Sequence, residues 1–323
     1  MECLCAETFL EGLSTDMSEL HISADNDGRR VDRVLRTLWR DVPLGAVMKA
    51  IRTGEVRLDG KKTKGDVRLS EGQILTVPWN DAEYSGRRTA MENELPKQST
   101  KKTPSLSTLY KDDYVWIVNK PAGLLVQPDK AGGDSLIARA LAELNWTRRD
   151  FCPATVQRLD RNTSGAVMIA MTGAAQRHLA ELIRDRAIRK IYIAEVHGIT
   201  DDGGRIDIPL SKDAGINKVR PDSEGMPALT IYKRTAVRGD KSLIEAELVT
   251  GRPHQARAHL AAIGHPIVGD IKYGGKGAKR PLLHAYALIF PDDPTLPKEL
   301  QCRTITAPVP HDLQKYAKDV NGR

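Results

Sequence analysis

A single carboxylate between two arginines stands out among the residues that could do chemistry. Asp160 is the only acidic residue in the segment 156–172, and Arg158 and Arg161 flank it. Two nearby guanidinium groups favour the ionised carboxylate, and an ionised, desolvated carboxylate can act as a base or a nucleophile. The alternative is that Asp160 caps a turn and that both arginines are solvated, because Asp is a common turn residue.

The chain after this polar group predicts the strand that would hold it. Residues 166–171 are apolar and β-capable, which indicates a buried strand. Gly165 permits a turn or a close backbone approach just before that strand. A buried strand would hold Asp160 with the rigidity that an active site needs.

A second polar cluster lies farther along the chain, in residues 250–260. Thr250 or Gly251 is predicted to begin a helix that Gly264 ends, with a proline in its first turn. This would place two basic residues near the helix N-terminus and a third one turn inside, where it suits a carboxylate partner. These residues are Arg252, His254 and then Arg257.

Three histidines in this region could indicate a metal site. His254, His259 and His265 are separated by five and six residues, however, and this spacing does not place them on one helix face. We therefore predict no metal ligands here.

The surrounding elements define the fold class. Residues 189–196 alternate as a strand, with Tyr192 on the same face as Lys190 and Ala194. Further strands are predicted near 114–118, 228–234 and 243–249, helices at 136–144 and 173–185, and loop-rich chain at 203–227. This order predicts an α+β domain over residues 108–323, built on a large mixed or antiparallel sheet with flanking helices.

Composition limits the class of protein. The chain has 323 residues, of which 40% are hydrophobic, enough for one large domain or two ordinary ones. Its net charge of +7 suggests a polyanionic partner. The four cysteines form no Cys-x-x-Cys pair, and neither a signal peptide nor a bilayer-spanning apolar run is apparent. We expect a cytoplasmic protein with reduced thiols, monomeric by default and without a membrane partner.

The positive charge is concentrated near the N-terminus. Residues 28–68 contain twelve Lys and Arg against five Asp and Glu, a net charge equal to that of the whole chain. The pattern predicts a helix near 31–38, another at 44–52 that Gly54 ends, a hairpin turn at Asp59-Gly60 and a strand at 74–77. Such a local excess is typical of a module that contacts phosphates, although a solvated helix face is the alternative. Residues 81–107 are polar and aperiodic, which predicts a flexible linker.

Several stretches resemble one enzyme family. The run Arg-Leu-Asp-Arg-Asn-Thr-Ser-Gly at 158–165 resembles the signature loop of the RluA family of pseudouridine synthases. The other matching stretches, in family order around that loop, are 114–123, Lys190-x-Tyr192-x-Ala194, 250–270 and 282–290. The family usually has His at position 157, where this chain has Gln157, and commonly has Ile in place of Ala256. The related RsuA-type synthases lack the Gly-Arg-Pro-His-Gln run, so the RluA type is the better match.

This resemblance implies roles for particular residues. Asp160 would be the nucleophile, Tyr192 would stack on the target base, and Arg257 would pair with Asp160. Arg158 would fill the gap left by a flipped base, and Leu283 would contribute an apolar wall to the pocket. The further substrate-binding candidates in the same motifs are Arg161, Arg252 and His254.

Residues 18–80 resemble an S4 RNA-binding domain in their helix-helix-strand-turn order. The resemblance implies that the basic helical surface of this domain contacts structured RNA. The basic residues expected on that surface are Arg29, Arg30, Arg33, Arg36, Arg40, Lys49 and Arg52.

The two resemblances together imply an RNA pseudouridine synthase of the ribosomal large subunit type, which needs no cofactor or metal. Ribosomal RNA is its expected substrate, and transfer RNA is the alternative. Two other classes stay open. One is a non-catalytic RNA-binding or ribosome assembly factor, which Gln157 would favour. The other is a hydrolase that uses Asp160 with water and would need a metal cluster or a second carboxylate.

Overall fold

The computed structural model describes residues 17–39, 42–79, 104–128, 133–148, 151–213, 215 and 218–313. The chain divides into two compact units, one formed by residues 1–101 with 147–151 and the other by 102–146 with 152–323. Arg40 and residues 81–103 of the predicted linker lie outside the described residues. The last residue of that predicted linker, Ser107, begins a strand.

The N-terminal unit combines a small antiparallel sheet with two α-helices among its described residues. The strands are β1 (Ser18–His21), β2 (Arg57–Leu58), β3 (Lys61–Lys62) and β4 (Ile74–Val77), and they lie in the order β1-β4-β2-β3. The helices are α1 (Val31–Leu38) and α2 (Leu44–Thr53). The predicted hairpin turn is confirmed, because Asp59 and Gly60 join β2 to β3 with φ of 50° and 74°.

The core of this unit lies between the helices and the sheet. Val31 of α1 and Val47 and Ile51 of α2 are buried in it. The helical spacing of Leu44, Val47, Met48 and Ile51 predicts one apolar stripe on α2, but Leu44 and Met48 are 52% and 47% exposed. Only a narrow face of α2 is buried, and the side chains of Leu44 and Met48 lie at the edge of that buried face.

The second unit is built on one large sheet. Ten of its described strands form it: β5 (Ser107–Lys111), β6 (Val115–Lys120), β7 (Ala154–Thr155), β8 (Ser164–Ala170), β9 (Arg189–His197), β10 (Gly203–Asp207), β13 (Leu229–Arg238), β14 (Lys241–Leu248), β15 (Leu283–Ile289) and β16 (Thr304–Thr306). The main order is β10-β13-β14-β9-β15-β8-β6-β5; β7 pairs with β8, and β16 with β15. The β15–β8 pair is parallel and the other pairs are antiparallel, so the predicted mixed sheet is confirmed.

The sequence pattern predicts a loop-rich segment at 203–227, but about half of this segment forms strands. It contains β10 and a separate hairpin of β11 (Leu210–Asp213) and β12 (Lys218–Pro221). These strands are short and carry many polar residues, so their backbone pairing is not visible as alternation in the sequence.

Three described helices pack on the sheet: α3 (Leu136–Glu143), α4 (Gly173–Arg184) and α5 (Gln255–Ala262). Ser135 and Thr172 cap the first two, each accepting a hydrogen bond from a backbone amide of the first turn. Helix α5 begins at Gln255, not at Thr250 or Gly251. Its predicted start was wrong, and Arg257 lies in the first turn rather than one turn inside.

Strand β8 is the central support of this unit. All seven of its residues are buried. Val167 and Ile169 face one hydrophobic core and Met168 faces another, so the strand is packed on both sides. The segment 158–163, which carries Asp160, leads directly into this rigid strand.

Candidate active site

Backbone hydrogen bonds fix the loop that carries Asp160. The amide of Thr163 donates to the carbonyl oxygen of Asp160 at 3.1 Å, which closes a turn. The amide of Gly123 donates to the carbonyl of Arg161 at 2.8 Å, and the Arg161 Nε donates back to the Gly123 carbonyl at 3.0 Å. The Asp160 side chain is 27% exposed, so a ligand can reach its carboxylate.

A guanidinium group lies between two carboxylates. Arg257 Nη1 donates to Asp160 Oδ2 at 2.9 Å, while its Nε and Nη2 contact the two oxygens of Asp270 at 2.7 and 2.8 Å. Asp270 is 1% exposed. Burial lowers the pKa of Arg257, but hydrogen bonds and charges of both carboxylates outweigh burial and raise that pKa above its usual value. Arg257 therefore stays charged, in an orientation that Asp270 fixes.

His254 approaches Asp160 from the start of α5. Its Nε2 lies 3.9 Å from Asp160 Oδ1, and its Nδ1 lies 2.9 Å from the hydroxyl of Tyr273. That hydroxyl accepts a hydrogen bond from the Val219 amide at 2.9 Å, which leaves its own proton to donate to Nδ1. The neutral ring then carries its hydrogen on Nε2, facing Asp160. Burial lowers the pKa of His254, against the opposing charge of Asp160, so the neutral form prevails near neutral pH.

The backbone at His254 is in the left-handed region, with φ of 51°. This conformation is uncommon for a residue other than glycine and costs about 1–3 kcal/mol. Gln255 stabilises the turn before it: its side-chain oxygen accepts from the Arg252 amide and the Thr250 hydroxyl, and its amide donates to the Leu229 carbonyl. The turn from 250 to 254 thus takes the place of the helical turn that the sequence predicts.

Tyr192 lies on β9 and is buried. Burial, and secondly the negative charge of Asp160, raise the pKa of its hydroxyl, so Tyr192 stays neutral. Its backbone is opposite Ala285 of β15. Leu283, at the start of β15, is also buried and belongs to the same hydrophobic core.

A buried lysine donates hydrogen bonds to the backbone next to Asp160. Lys120 is fully buried at the end of β6, and its ammonium donates to the carbonyls of Pro121, Leu124 and Arg161 at 3.0, 2.8 and 3.1 Å. Burial lowers the pKa of Lys120 to about 8, while the charge of Asp160 acts in the opposite direction. Each of its three N–H donors has a carbonyl acceptor, so Lys120 stabilises the backbone of the loop that carries Asp160.

Gln157 pairs with the backbone of β8. Its side-chain oxygen accepts from the Met168 amide at 3.3 Å, and its amide donates to the Ala166 carbonyl at 3.4 Å. The side chain therefore supports the strand next to Asp160. It does not contact the carboxylate through these bonds, so it does not disturb the pairing of Asp160 with Arg257.

The remaining predicted substrate-binding arginines lie outside this cluster of polar side chains. Arg158 and Arg161 are exposed. The Arg252 guanidinium is half-buried and donates to the carbonyl of Pro227 at 3.0 Å. The structure thus brings together Asp160, His254 and Arg257, with Tyr192 within electrostatic reach, and leaves the other three arginines at the periphery.

The arrangement suits nucleophilic chemistry better than hydrolysis. An accessible carboxylate is held by one fixed cation, and the other carboxylate bound to that cation, Asp270, has both oxygens occupied and is buried. Asp270 therefore cannot activate water. In the part of the chain that the structure describes, no group of three His, Cys, Asp or Glu side chains could hold a metal ion.

In the N-terminal unit, the predicted RNA-contacting residues differ in their surroundings. Arg29 contacts Asn26 and Thr37, and Arg30 makes a two-pronged contact with Asp32. Arg33, Arg36, Lys49 and Arg52 are exposed.

Lys49 and Arg52 also line a groove of about 560 Å³ between α2 and the segment 62–65. Lys62 and Lys64 are the other cations of this groove, Met48 and Ile51 supply apolar surface, and no acidic residue lines it. Sequence reasoning did not single out Lys62 or Lys64. Their proximity to α2 follows from the β2–β3 hairpin.

The same reasoning also missed Asp270, Tyr273 and Lys120. Asp270 and Tyr273 follow α5 by several residues, and only the fold places them against Arg257 and His254. One signal was available: Asp270 stands in the Gly-His-Pro-Ile-Val-Gly-Asp run, where a charged residue closely follows a buried apolar pair. No described helix of the chain is long and apolar enough to cross a lipid bilayer.

Comparison with known proteins defines the class. A family model described as RNA pseudouridylate synthase matches residues 114–262. A ribosomal large subunit pseudouridine synthase C of Vibrio vulnificus is 31% identical over 321 residues, covering 95% of this chain and 98% of that protein. The protein of the same name in Escherichia coli K12 is 32% identical over 312 residues, covering 91% and 93%. Human RNA pseudouridylate synthase domain containing 4 shares the fold, with a TM-score of 0.54 at 22% identity over 73% of this chain and 97% of that one.

The fold and these similarities define an RNA pseudouridine synthase, an isomerase that acts on uridine in RNA. The chain belongs to the RluA family of these enzymes. The class expected from the sequence motifs is confirmed.

Proposed function

We propose that this enzyme isomerises uridines in ribosomal RNA of the large subunit, in the cytoplasm, with Asp160 as its nucleophile. Relatives named ribosomal large subunit pseudouridine synthase C cover 95% and 91% of this chain, which supports that substrate. The observation that carries the role of Asp160 is its pairing with Arg257, which Asp270 holds in place.

The reaction moves the glycosidic bond from N1 to C5 of the same uracil. The N1–C1′ bond breaks and a C5–C1′ bond forms; C5 loses a proton, N1 gains one, and no electrons are exchanged. The uridine must leave its stack to reach a buried site. Asp160 attacks the base or the ribose, and in both routes the carboxylate must be ionised, which the guanidinium of Arg257 favours.

Tyr192 would hold the detached uracil while it turns. Its hydroxyl stays neutral and its ring is part of the hydrophobic core, so it offers a rigid apolar face for stacking. Leu283, in the same core, would supply a second apolar wall. Arg158 is exposed near Asp160 in sequence, which suits a side chain that enters the RNA stack in place of the flipped base.

The N-terminal unit would add affinity for RNA as an S4 domain. The groove between α2 and the segment 62–65 combines four cations with apolar surface and has no acidic residue. Phosphate groups would contact the cations, and sugar or base atoms the apolar surface. This favours Lys49 and Arg52 over Arg29 and Arg30, whose guanidinium groups already have partners within the protein.

Pseudouridine mapping of total RNA tests this proposal. The strains compared would carry the wild-type gene, Asp160→Asn or a deletion of the gene. We expect the same large-subunit sites to vanish in both altered strains, because Asn keeps the volume and one hydrogen bond but is not a nucleophile. Sites lost only in the deletion would contradict the role of Asp160. Loss confined to transfer RNA would overturn the substrate and keep the enzyme class.

A further inference from the structure

The parallel ladder next to the Asp160 loop is short. Strands β8 and β15 pair at Ser164 with His284 and at Gly165 with Ala285, near the beginning of both strands. The carbonyls of Asn162 and Leu283 lie just beyond the pairing. Backbone carbonyls at such a point need a donor other than the neighbouring strand.

Arg280 supplies that donor. Its Nη1 lies 3.2 Å from the carbonyl oxygen of Asn162, 3.3 Å from that of Leu283 and 2.9 Å from that of Pro281. Its side chain is only 13% exposed. One guanidinium nitrogen therefore joins the backbone two residues after Asp160 to the start of the strand that carries Leu283.

The other side of the guanidinium is held by a carboxylate near the end of the described chain. Arg280 Nε and Nη2 contact the two oxygens of Asp312, each at 2.7 Å. The next residue, Leu313, is buried in a cluster with Leu282 and Val268. The segment 311–313 is thus docked on the unit, and its carboxylate fixes the plane of the Arg280 fork.

We infer that Arg280 is a positioning residue for the isomerisation: it sets the distance between the Asp160 loop and the apolar wall at Leu283, and Asp312 orients it. This rests on the proposed role of Asp160 as nucleophile. The planar fork is needed because two nitrogens face Asp312 while the third faces the carbonyls, an arrangement that the single ammonium of lysine cannot reproduce. A shift of the nucleophile by about 1 Å can cost about 100-fold in rate.

The test compares Arg280→Met, Arg280→Lys and Asp312→Asn in the full-length enzyme, with a ribosomal RNA fragment that the wild type modifies. Asp160→Asn is measured in parallel. Arg189→Met is the matched control, since Arg189 makes the same two-pronged contact with Glu247 on the same sheet, between strands β9 and β14. The readouts are kcat and KM for pseudouridine formation and the melting temperature.

We expect Arg280→Met to lower kcat about 100-fold with KM within about threefold of wild type, because the nucleophile is displaced while RNA binding is retained. Arg280→Lys should recover only part of this loss. Asp312→Asn should lower kcat about tenfold. A double variant that combines Arg280→Met with Asp312→Asn is measured as well, and it should be no slower than Arg280→Met alone, because Asp312 acts through Arg280. Arg189→Met should stay within about twofold of wild type in kcat.

Three results would overturn the inference: a kcat for Arg280→Met within about threefold of wild type, a loss that appears in KM instead of kcat, or strictly multiplicative losses in the double variant. If Arg280→Met does not fold, Asp312→Asn decides, because Asp312 is 43% exposed and its side-chain amide keeps the volume. An active Asp160→Asn variant would instead refute the proposed nucleophile. An inactive Asp160→Asn beside a normal Asp312→Asn would refute only the role of Arg280 and Asp312.

Discussion

At the scale of single residues, Asp160 shares the guanidinium group of Arg257 with Asp270, and Asp270 takes more of its hydrogen bonds. Arg257 gives one nitrogen to Asp160 and two to Asp270, and Asp270 is the more deeply buried carboxylate. Asp270 can therefore hold Arg257 without competing for substrate, while Asp160 keeps one oxygen free of the guanidinium. Asp270 and Asp160, the proposed nucleophile, thus differ in burial rather than in residue type.

Replacing Asp270 with Asn should damage both stability and catalysis. Breaking a buried ion pair costs about 3–5 kcal/mol, and a reoriented Arg257 should lower kcat at least tenfold. Denaturant unfolding and single-turnover kinetics measure the two effects. Asp202→Asn is the control, since Asp202 also pairs with an arginine, Arg234, but is 93% exposed; it should cost less than about 1 kcal/mol. Equal effects of both variants would contradict this view of Asp270.

At the scale of elements, the close parallel contact of β8 with β15 sets the geometry of the site. Gly165 has φ of 119°, and a Cβ atom there would lie 2.2 Å from the carbonyl oxygen of Ala285. Only glycine allows the strand after the Asp160 loop to approach β15, which begins at Leu283, so closely. The loop that carries Asp160, the proposed nucleophile, leads into β8, and Leu283 begins β15.

The substitution Gly165→Ala should therefore separate the strands. We expect the free energy of unfolding to fall by at least about 3 kcal/mol in total. A positive φ alone would cost only roughly 1–2 kcal/mol, and the close contact accounts for the rest. Gly239→Ala is the matched control, because Gly239 has φ of 57° and a Cβ atom added there would meet no atom within 4 Å. Chemical denaturation of both variants measures the difference, and equal losses would show that close approach is not the cause.

The same strand pair predicts a pH dependence of stability. His284 of β15 is fully buried and its Nδ1 lies 2.9 Å from the hydroxyl of Ser164 on β8. Burial lowers the pKa of His284 to about 4, below its usual 6.5. The unfolded chain thus binds a proton more readily than the folded one, so stability is lost as pH falls from 6.5 towards 4. The loss should be about 2 kcal/mol by about pH 5.

Unfolding by denaturant at about pH 7.5 and about pH 5 tests this expectation. His284→Gln removes the titrating group, so the difference between the two pH values should shrink by about 2 kcal/mol relative to wild type. An unchanged difference would mean that other groups cause the acid sensitivity.

At the scale of the whole molecule, charge is divided between the two units. Residues 28–68 account for the entire net charge of +7, and the rest of the chain is balanced. Affinity for the RNA backbone and chemistry on the base are therefore expected to reside in different parts of the chain. A substrate held through phosphates in one unit can then be modified in the other.

Removing charge from the groove should reduce the salt dependence of RNA binding. The double substitution Lys49→Gln with Arg52→Gln should lower the slope of log affinity against log salt by about 1 to 2, since each neutralised phosphate contributes about 0.9. Arg33→Gln with Arg36→Gln removes the same charge from the exposed face of α1 and should change the slope less. Filter binding to the ribosomal RNA fragment at several salt concentrations measures both. A larger change of slope for the Arg33 and Arg36 variant would mean that RNA phosphates contact α1 instead of the groove.

The sequence determined the class of enzyme, most of the elements and the chain segments of the site. It predicted the strands 166–171 and 189–196 and the helices 44–52, 136–144 and 173–185 to within a few residues, because apolar period and capping residues are local properties. The family motifs around Asp160 could be read in the same way, since they too are contiguous runs.

Only the tertiary structure decided how these segments meet. The true start of α5 depends on Gln255, whose side chain bonds Leu229 on another strand, so local rules favoured an earlier start. Three hydrogen bonds show this: Arg257 donates to Asp270, Lys120 to the Arg161 carbonyl and Arg280 to the Asn162 carbonyl. The paired residues are 13, 41 and 118 positions apart in the sequence. The periodicity of the sequence carries no information about such pairs. They form only when the strands assemble into the sheet and the polar groups that become buried need hydrogen-bond partners.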